Sequence, residues 1–128
     1  MNDHEEPAVG NIAVICGSIR SEPTARELPG GGVVVQFDVA TKTEFDGRRL
    51  AVSVPIAWSD PTTTQRGVLS EGVEVVVVGT VRRRFFRVGG VTQSRTEVVA
   101  EAVVPRRQRK RVATTLAAAA GRVLDLAA

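Results

Sequence analysis

VEVVVVGTVRRRFFRV, residues 73–88, has the composition of a long β-strand whose character changes halfway along. Its first half is rich in valine, a β-branched residue that favours strands, and its second half interleaves arginines with phenylalanines. Because side chains alternate between the two faces of a strand, a strand without a bulge has one valine face and one basic, aromatic face. The valine face contains Val75, Val77 and Val81, and the other face contains Arg82, Arg84 and Phe86.

Four other segments have the same β-branched character and the length of strands. They are residues 11–19, 32–41, 50–58 and 96–104. From Val33 to Ala40 apolar and more polar residues alternate, as in a strand with one packed and one solvated face. Glycine-containing stretches at residues 28–32, 45–48 and 88–91 predict hairpins between successive strands.

Residues 59–72, between the third and fourth predicted strands, have the signals of a short helix. Asp60 can cap it, Pro61 suits its first position, and Gly72 can end it. Three strands, a helix and two strands is the element order of an oligonucleotide/oligosaccharide-binding (OB) barrel. The sequence therefore predicts an all-β protein built on a five-stranded OB barrel with one short helix, and another small all-β barrel remains the alternative.

A chain of 128 residues is long enough for one domain with a core of its own. We expect an N-terminal flexible tail, the barrel, and a basic linker followed by a C-terminal helix. These parts span residues 1–10, 11–105 and 106–128, respectively. The helix prediction rests on apolar residues that recur at helical spacing after the basic run RRQRKR. They are Val112, Leu116, Ala119, Val123 and Leu126.

The chain has one histidine, His4, in the predicted tail and one cysteine, Cys16, in a predicted strand. With so few ligands and nucleophiles we expect no zinc site, no other metal, no cofactor and no catalytic pair, so the protein is not predicted to be an enzyme. Cys16 lies in an apolar run, which favours a buried hydrophobic role in a reducing compartment. No membrane-spanning run or signal peptide is found, and we expect a cytoplasmic protein.

The basic residues are unevenly distributed. Residues 106–128 hold six Lys/Arg and one acidic residue, whereas the remainder holds eleven basic and thirteen acidic residues. A near-neutral barrel binds a polyanion only if its basic residues share one surface, and the arginines at 82–87 are the candidate. Arginine contacts phosphate and an exposed ring stacks on an unpaired base. The alternative is that both phenylalanines close the barrel end and the arginines solvate an edge.

Four stretches, in order, resemble the bacterial-type single-stranded DNA-binding proteins across most of residues 11–104. They are NIAVICGSI, SEPTARELPGGGVVVQFDVAT, EGVEVVVVGTVRRRFF and TEVVAEAV. Glu97 and Val98 of the last stretch stand at matching places. The resemblance implies sequence-independent coating of single-stranded DNA in replication, recombination or repair, by a nucleoid-associated homotetramer.

The resemblance also implies which residues contact DNA. Phe45, Trp58 and Phe86 match positions where the family stacks aromatic rings on bases, and Arg84 matches a basic DNA-contacting position. Arg82 and Arg26 are further candidates for phosphate contacts. For Trp58 the residues alone leave a core position open, because Val54 and Ile56 share its strand face.

Several positions depart from the family pattern, and each departure is expected to weaken binding. Val52 replaces an aromatic residue, while Glu71 and Asp60 stand where relatives often carry lysine. The end of the sequence, GRVLDLAA, lacks the acidic tip through which relatives recruit replication and repair enzymes. We therefore expect a paralogue of the family and not its main replicative member. Two alternatives remain: a protein-interaction or assembly module, if these departures remove most nucleic-acid affinity, and an RNA-binding protein, since base stacking does not inspect the sugar closely. The basic run at 106–111 either adds DNA affinity or is only a solvated linker.

Overall fold

The computed structural model describes residues 10–128, so His4 and nearly all of the predicted N-terminal tail lie outside the described residues. Six strands and two helices follow one another in this range. The elements are β1 (Ala13–Ile19), β2 (Thr24–Glu27), β3 (Val33–Phe45), β4 (Arg48–Ser59), α1 (Thr63–Gly67), β5 (Glu74–Val88), β6 (Val91–Pro105) and α2 (Arg109–Asp125).

Five of the strands close into a barrel. The order is β1-β5-β6-β4-β3-β2, and β1 also pairs with β3, which closes all the strands except β2 into a ring. β4 and β6 pair in parallel and the other neighbours are antiparallel. The predicted OB barrel with a short helix and a C-terminal helix is confirmed, and β2 is an additional short strand that forms a hairpin with β3.

The barrel core is made by the alternate side chains that the period-two pattern placed inside. Val35, Phe37 and Val39 of β3 are buried, while Gln36 and Asp38 between them are only partly covered. Ile56 and Trp58 of β4 and Val75 and Val77 of β5 complete the same cluster. Burial of each such side chain stabilises the fold by roughly 1.5 to 3 kcal/mol.

Two hairpins extend well beyond the barrel, because their strands continue to tight two-residue turns. Asp46 and Gly47 connect β3 to β4, and Gly89 and Gly90 connect β5 to β6. All four residues have positive φ, between 52° and 82°, the backbone that a two-residue hairpin of type I′ requires. The turns were predicted, and the predicted end of β5 at residue 88 is correct, but β3, β4 and β6 run closer to the turns than predicted.

A β-bulge interrupts the pairing of β5 with β6. Val78 pairs with Ala102 whereas Gly79 pairs with Ala100, so the unpaired extra residue is Glu101 of β6. Gly79 is required at this place, since a Cβ atom there would collide with the carbonyl group of Val99. Because the extra residue lies on β6, the side chains of β5 alternate without interruption, and this strand has the two predicted faces.

Helix α1 begins two residues later than predicted and ends earlier. Thr62 is the N-cap: its hydroxyl accepts from the Gln65 amide (3.1 Å), and the Gln65 side chain accepts from the Thr62 amide (2.7 Å). The prediction that Asp60 caps the helix is wrong, because its carboxylate accepts from the Val33 amide instead (2.8 Å). Gly72 lies in the turn before β5 with φ of 88°, beyond the helix end.

Helix α2 begins at Arg109, so the basic run is not a linker throughout: its second half forms the first turn of the helix. Arg106 pairs with Glu74 (3.2 Å) and Arg122 pairs with the bulge residue Glu101 (2.7 Å), which holds the helix against the outer side of β5 and β6. Val78 and Ala119 line one cleft there. Val76 and Val78, on the outer face of β5, are thus buried on the side of the barrel where the chain's own helix packs.

The prediction that Cys16 is buried is wrong for this chain. Cys16 is exposed because it lies on the outer side of β1, opposite Val76 in the β1–β5 register. Among residues 10–128, no group of histidine, cysteine, aspartate or glutamate side chains is arranged to hold a metal ion. Within the same range, no helix is long and apolar enough to cross a membrane.

Candidate nucleic-acid interface

The part of the β5–β6 hairpin that projects from the barrel, residues 81–88 and 91–98, is called the ribbon below. Residues paired across two antiparallel strands point to the same side, so the register defines two faces. The front face contains Arg82, Arg84 and Phe86 of β5, paired with Glu97, Arg95 and Gln93 of β6. The three residues predicted from β5 are therefore brought together on one surface.

Glu97 is the counter-ion of both predicted arginines, a role that the sequence reasoning missed. It is only 3% exposed, and its Oε1 lies 3.0 Å from Arg84 Nε and 3.4 Å from Arg82 Nη2. The side chains of Arg82 and Arg84 remain about one half and one third exposed, respectively, so each can still contact a phosphate. The sequence did contain a signal for this pairing: a two-residue turn at Gly89–Gly90 sets the strand register so that Glu97 lies directly opposite Arg82.

Phe86 is partly exposed and its ring is supported by a neighbouring arginine. The guanidinium carbon of Arg84 lies 5.5 Å from the centroid of the Phe86 ring, within the range of a cation–π contact. Arg84 is itself held by Glu97. The ring therefore lies beside a fixed positive charge, which is the arrangement that stacking on a base next to a phosphate requires.

The front face continues onto the outer side of β3. Arg95 reaches across to Asp38 of β3, with 3.5 Å between Nη2 and Oδ1. Arg26 is exposed on β2 and pairs with Val34, which has the same strand parity as Asp38. Arg26 thus lies on this outer side, with β3 and β4 between it and the ribbon.

Phe45 lies at the tip of the β3–β4 hairpin. Phe45 is 70% exposed, and in the strand register it lies opposite Arg48 across the turn. Next to this pair, Glu44 and Arg49 form an exposed ion pair of 3.4 Å, which contributes little to stability. Phe45 is accessible to a base, on a different hairpin from Phe86, and its stacking role stays a prediction.

Trp58 is not available for stacking in this structure. It is 5% exposed and belongs to the core cluster together with Ile56, which has the same parity on β4. A ring so deeply buried presents no face to a base, so the stacking position implied by the resemblance is not supported. The physical reason is the alternation of side chains along β4, which places Trp58 on the same inward face as Ile56.

The three departures from the family pattern have different structural settings. Asp60 is used internally, because its carboxylate holds the Val33 amide at the start of β3. Glu71 is exposed, and its backbone amide donates to the Glu22 carboxylate (3.0 Å). Val52 is 40% exposed on the β3–β4 hairpin, where it offers a smaller apolar surface than an aromatic ring would.

Comparisons with known proteins agree with this geometry. A model of the Single-strand binding protein family matches residues 10–105. No curated protein matches the chain significantly. A solved structure described as the Plasmodium falciparum SSB complex with ssDNA aligns with a TM-score of 0.66 at 20% identity, over 82% of this chain and 98% of that chain, which shows a shared fold. Because the family model spans the whole barrel and more than half of the sequence, the chain belongs to the single-strand binding protein family.

Proposed function

We propose that this protein coats single-stranded DNA without sequence preference, with bases stacked on Phe86 and Phe45 and phosphates bound by Arg82, Arg84 and Arg26. Family membership supports single-strand binding itself, and the proposal adds the residues that carry it. The observation that supports it best is the front face, where a partly exposed ring lies beside Arg84 and one buried carboxylate, Glu97, pairs with both Arg84 and Arg82.

The chemistry of this surface explains why sequence should matter little. Every base has a π-face, so stacking does not discriminate strongly among bases, and arginine contacts to phosphate carry no sequence information. A duplex keeps its bases stacked on one another, which leaves none for the two phenylalanines. The surface thus favours single strands over duplex DNA.

The wider role is also part of the proposal. We place the protein in the cytoplasm, on nucleoid DNA during replication, recombination or repair, as a binding protein that catalyses no reaction. We further propose that it acts as a homotetramer. The first five residues of β1 support self-association, since residues 13–17 pair with β5 alone and Val14 is 48% exposed.

Binding of fluorescently labelled oligo-dT, followed by anisotropy at several salt concentrations, tests this function. The three proposed phosphate contacts predict that log K falls against log salt with a slope of at least about 2 in magnitude. Unlabelled oligo-dT should compete far better than duplex DNA or a matched RNA. Preference for the RNA would favour the RNA-binding alternative, and absence of binding at low salt would favour the protein-interaction alternative.

A further inference from the structure

The ribbon has a second surface with the same kind of side chains as the front face. The back face contains Arg83, Phe85 and Arg87 of β5, paired with Thr96, Ser94 and Thr92 of β6. All six residues are exposed, and the Phe85 ring is 67% exposed. In the barrel, this side of β5 faces the core, but the ribbon extends past the barrel end and leaves the back face uncovered.

The back face has a stacked arginine and ring like those of the front face. The guanidinium carbon of Arg83 lies 5.7 Å from the Phe85 centroid, and Arg83 Nη2 donates to the Ser94 hydroxyl (3.0 Å). On the other side of the ring, Arg87 donates to the Gly90 carbonyl (2.9 Å). An exposed phenylalanine is thus flanked by two arginines whose positions are fixed by hydrogen bonds.

Charge distinguishes the two faces. The arginines of the front face share Glu97 and Asp38, whereas the six back-face residues, all in the described part of the chain, include no acid. An apolar protein partner would desolvate two uncompensated guanidinium groups at high cost. Phosphate groups would compensate them, and three hydroxyls lie alongside to donate further hydrogen bonds.

We propose that the back face binds a second segment of single-stranded nucleic acid, with a base on Phe85 and phosphates on Arg83 and Arg87. The proposal rests on the proposed function and extends it: one ribbon would hold single-stranded nucleic acid on both sides. The residues that carry it, Phe85 above all, were not among the predicted contacts.

A tryptophan in place of each ribbon phenylalanine tests the two faces separately. The sequence has no tyrosine, and its single tryptophan, Trp58, is buried, so a titration of the unsubstituted protein supplies the background. We expect oligo-dT to quench the emission of Phe85→Trp as well as that of Phe86→Trp. Phe85→Ala should weaken binding of long oligo-dT roughly fivefold or more, while Leu124→Ala, at an exposed apolar position of α2, should leave binding unchanged.

Each other outcome overturns the proposal in a recognisable way. Quenching of Phe86→Trp alone would remove the back face and leave the proposed function standing. Absence of both quenching and binding would remove the proposed function as well. If Phe85→Ala lowered the mass of the DNA-free assembly without changing affinity for oligo-dT, the back face would be a contact between copies of the chain. Thermal unfolding of each variant confirms that it is folded.

Discussion

Replacing Phe86 with alanine is expected to weaken oligo-dT binding roughly 5- to 150-fold, because stacking on one aromatic ring contributes about 1 to 3 kcal/mol per base. The ring contributes little to the core, since it lies on the front face of the ribbon beside Arg84. Thermal stability should therefore change little. Anisotropy of labelled oligo-dT at a single low salt concentration measures the change in Kd.

Leu124→Ala is the matched control for Phe86→Ala. Leu124 is also apolar and is 71% exposed, but it lies on α2 and outside the proposed interface. The control should bind oligo-dT with unchanged affinity. If both variants bind as tightly as the unsubstituted protein, stacking on Phe86 contributes nothing and the front face loses its principal contact.

Truncating Arg82 and Arg84 together is expected to cost about 3 kcal/mol of folding free energy, since it leaves Glu97 as a buried carboxylate without a partner. Adding Glu97→Gln to the Arg82→Ala/Arg84→Ala variant should restore most of this loss. Urea denaturation followed by Trp58 emission measures both effects, because unfolding exposes this buried ring. The triple variant should still bind DNA more weakly, with its salt slope reduced in magnitude by about 1.4.

Arg83→Ala/Arg87→Ala provides the control for this stability prediction. These two arginines lie on the same ribbon but donate hydrogen bonds to the Ser94 hydroxyl and the Gly90 carbonyl. Removing them therefore leaves no buried charge without a partner. The pair of substitutions should change stability far less than the front-face pair. Equal losses for the two pairs, or no rescue by Glu97→Gln, would show that Glu97 does not depend on its arginines.

The sequence predicted those parts of the fold that depend on local pattern. Alternation in residues 33–40 indicated the inner face of β3, and paired glycines indicated the turn at 89–90. Alternation along β5 likewise predicted that Arg82, Arg84 and Phe86 share one face. This holds because the extra residue of the bulge, Glu101, lies on β6, so the side chains of β5 alternate without interruption. These features require no knowledge of distant contacts.

The remaining differences arise from tertiary contacts or from competing local signals. Aspartate is a common helix N-cap, but the carboxylate of Asp60 accepts a hydrogen bond from the amide of Val33, a residue distant in sequence. Trp58 lies on the same face of β4 as the core residue Ile56, but only the closed barrel shows that the Trp58 side chain is buried in the core. The packing of α2 on the barrel places Ala119 near Val78 and pairs Arg122 with Glu101, contacts between distant residues that no spacing within the helix reveals.

Photocrosslinking tests the stacking interface in a single step. Oligo-dT in which one thymine is replaced by 5-bromodeoxyuridine is irradiated with the protein, and the modified residues are located by mass spectrometry. If bases stack as proposed, the adducts will be found on Phe86, at the front of the ribbon, and on Phe45, at the tip of the β3–β4 hairpin. Adducts confined to α2 or to other surfaces of the barrel would contradict the proposed interface.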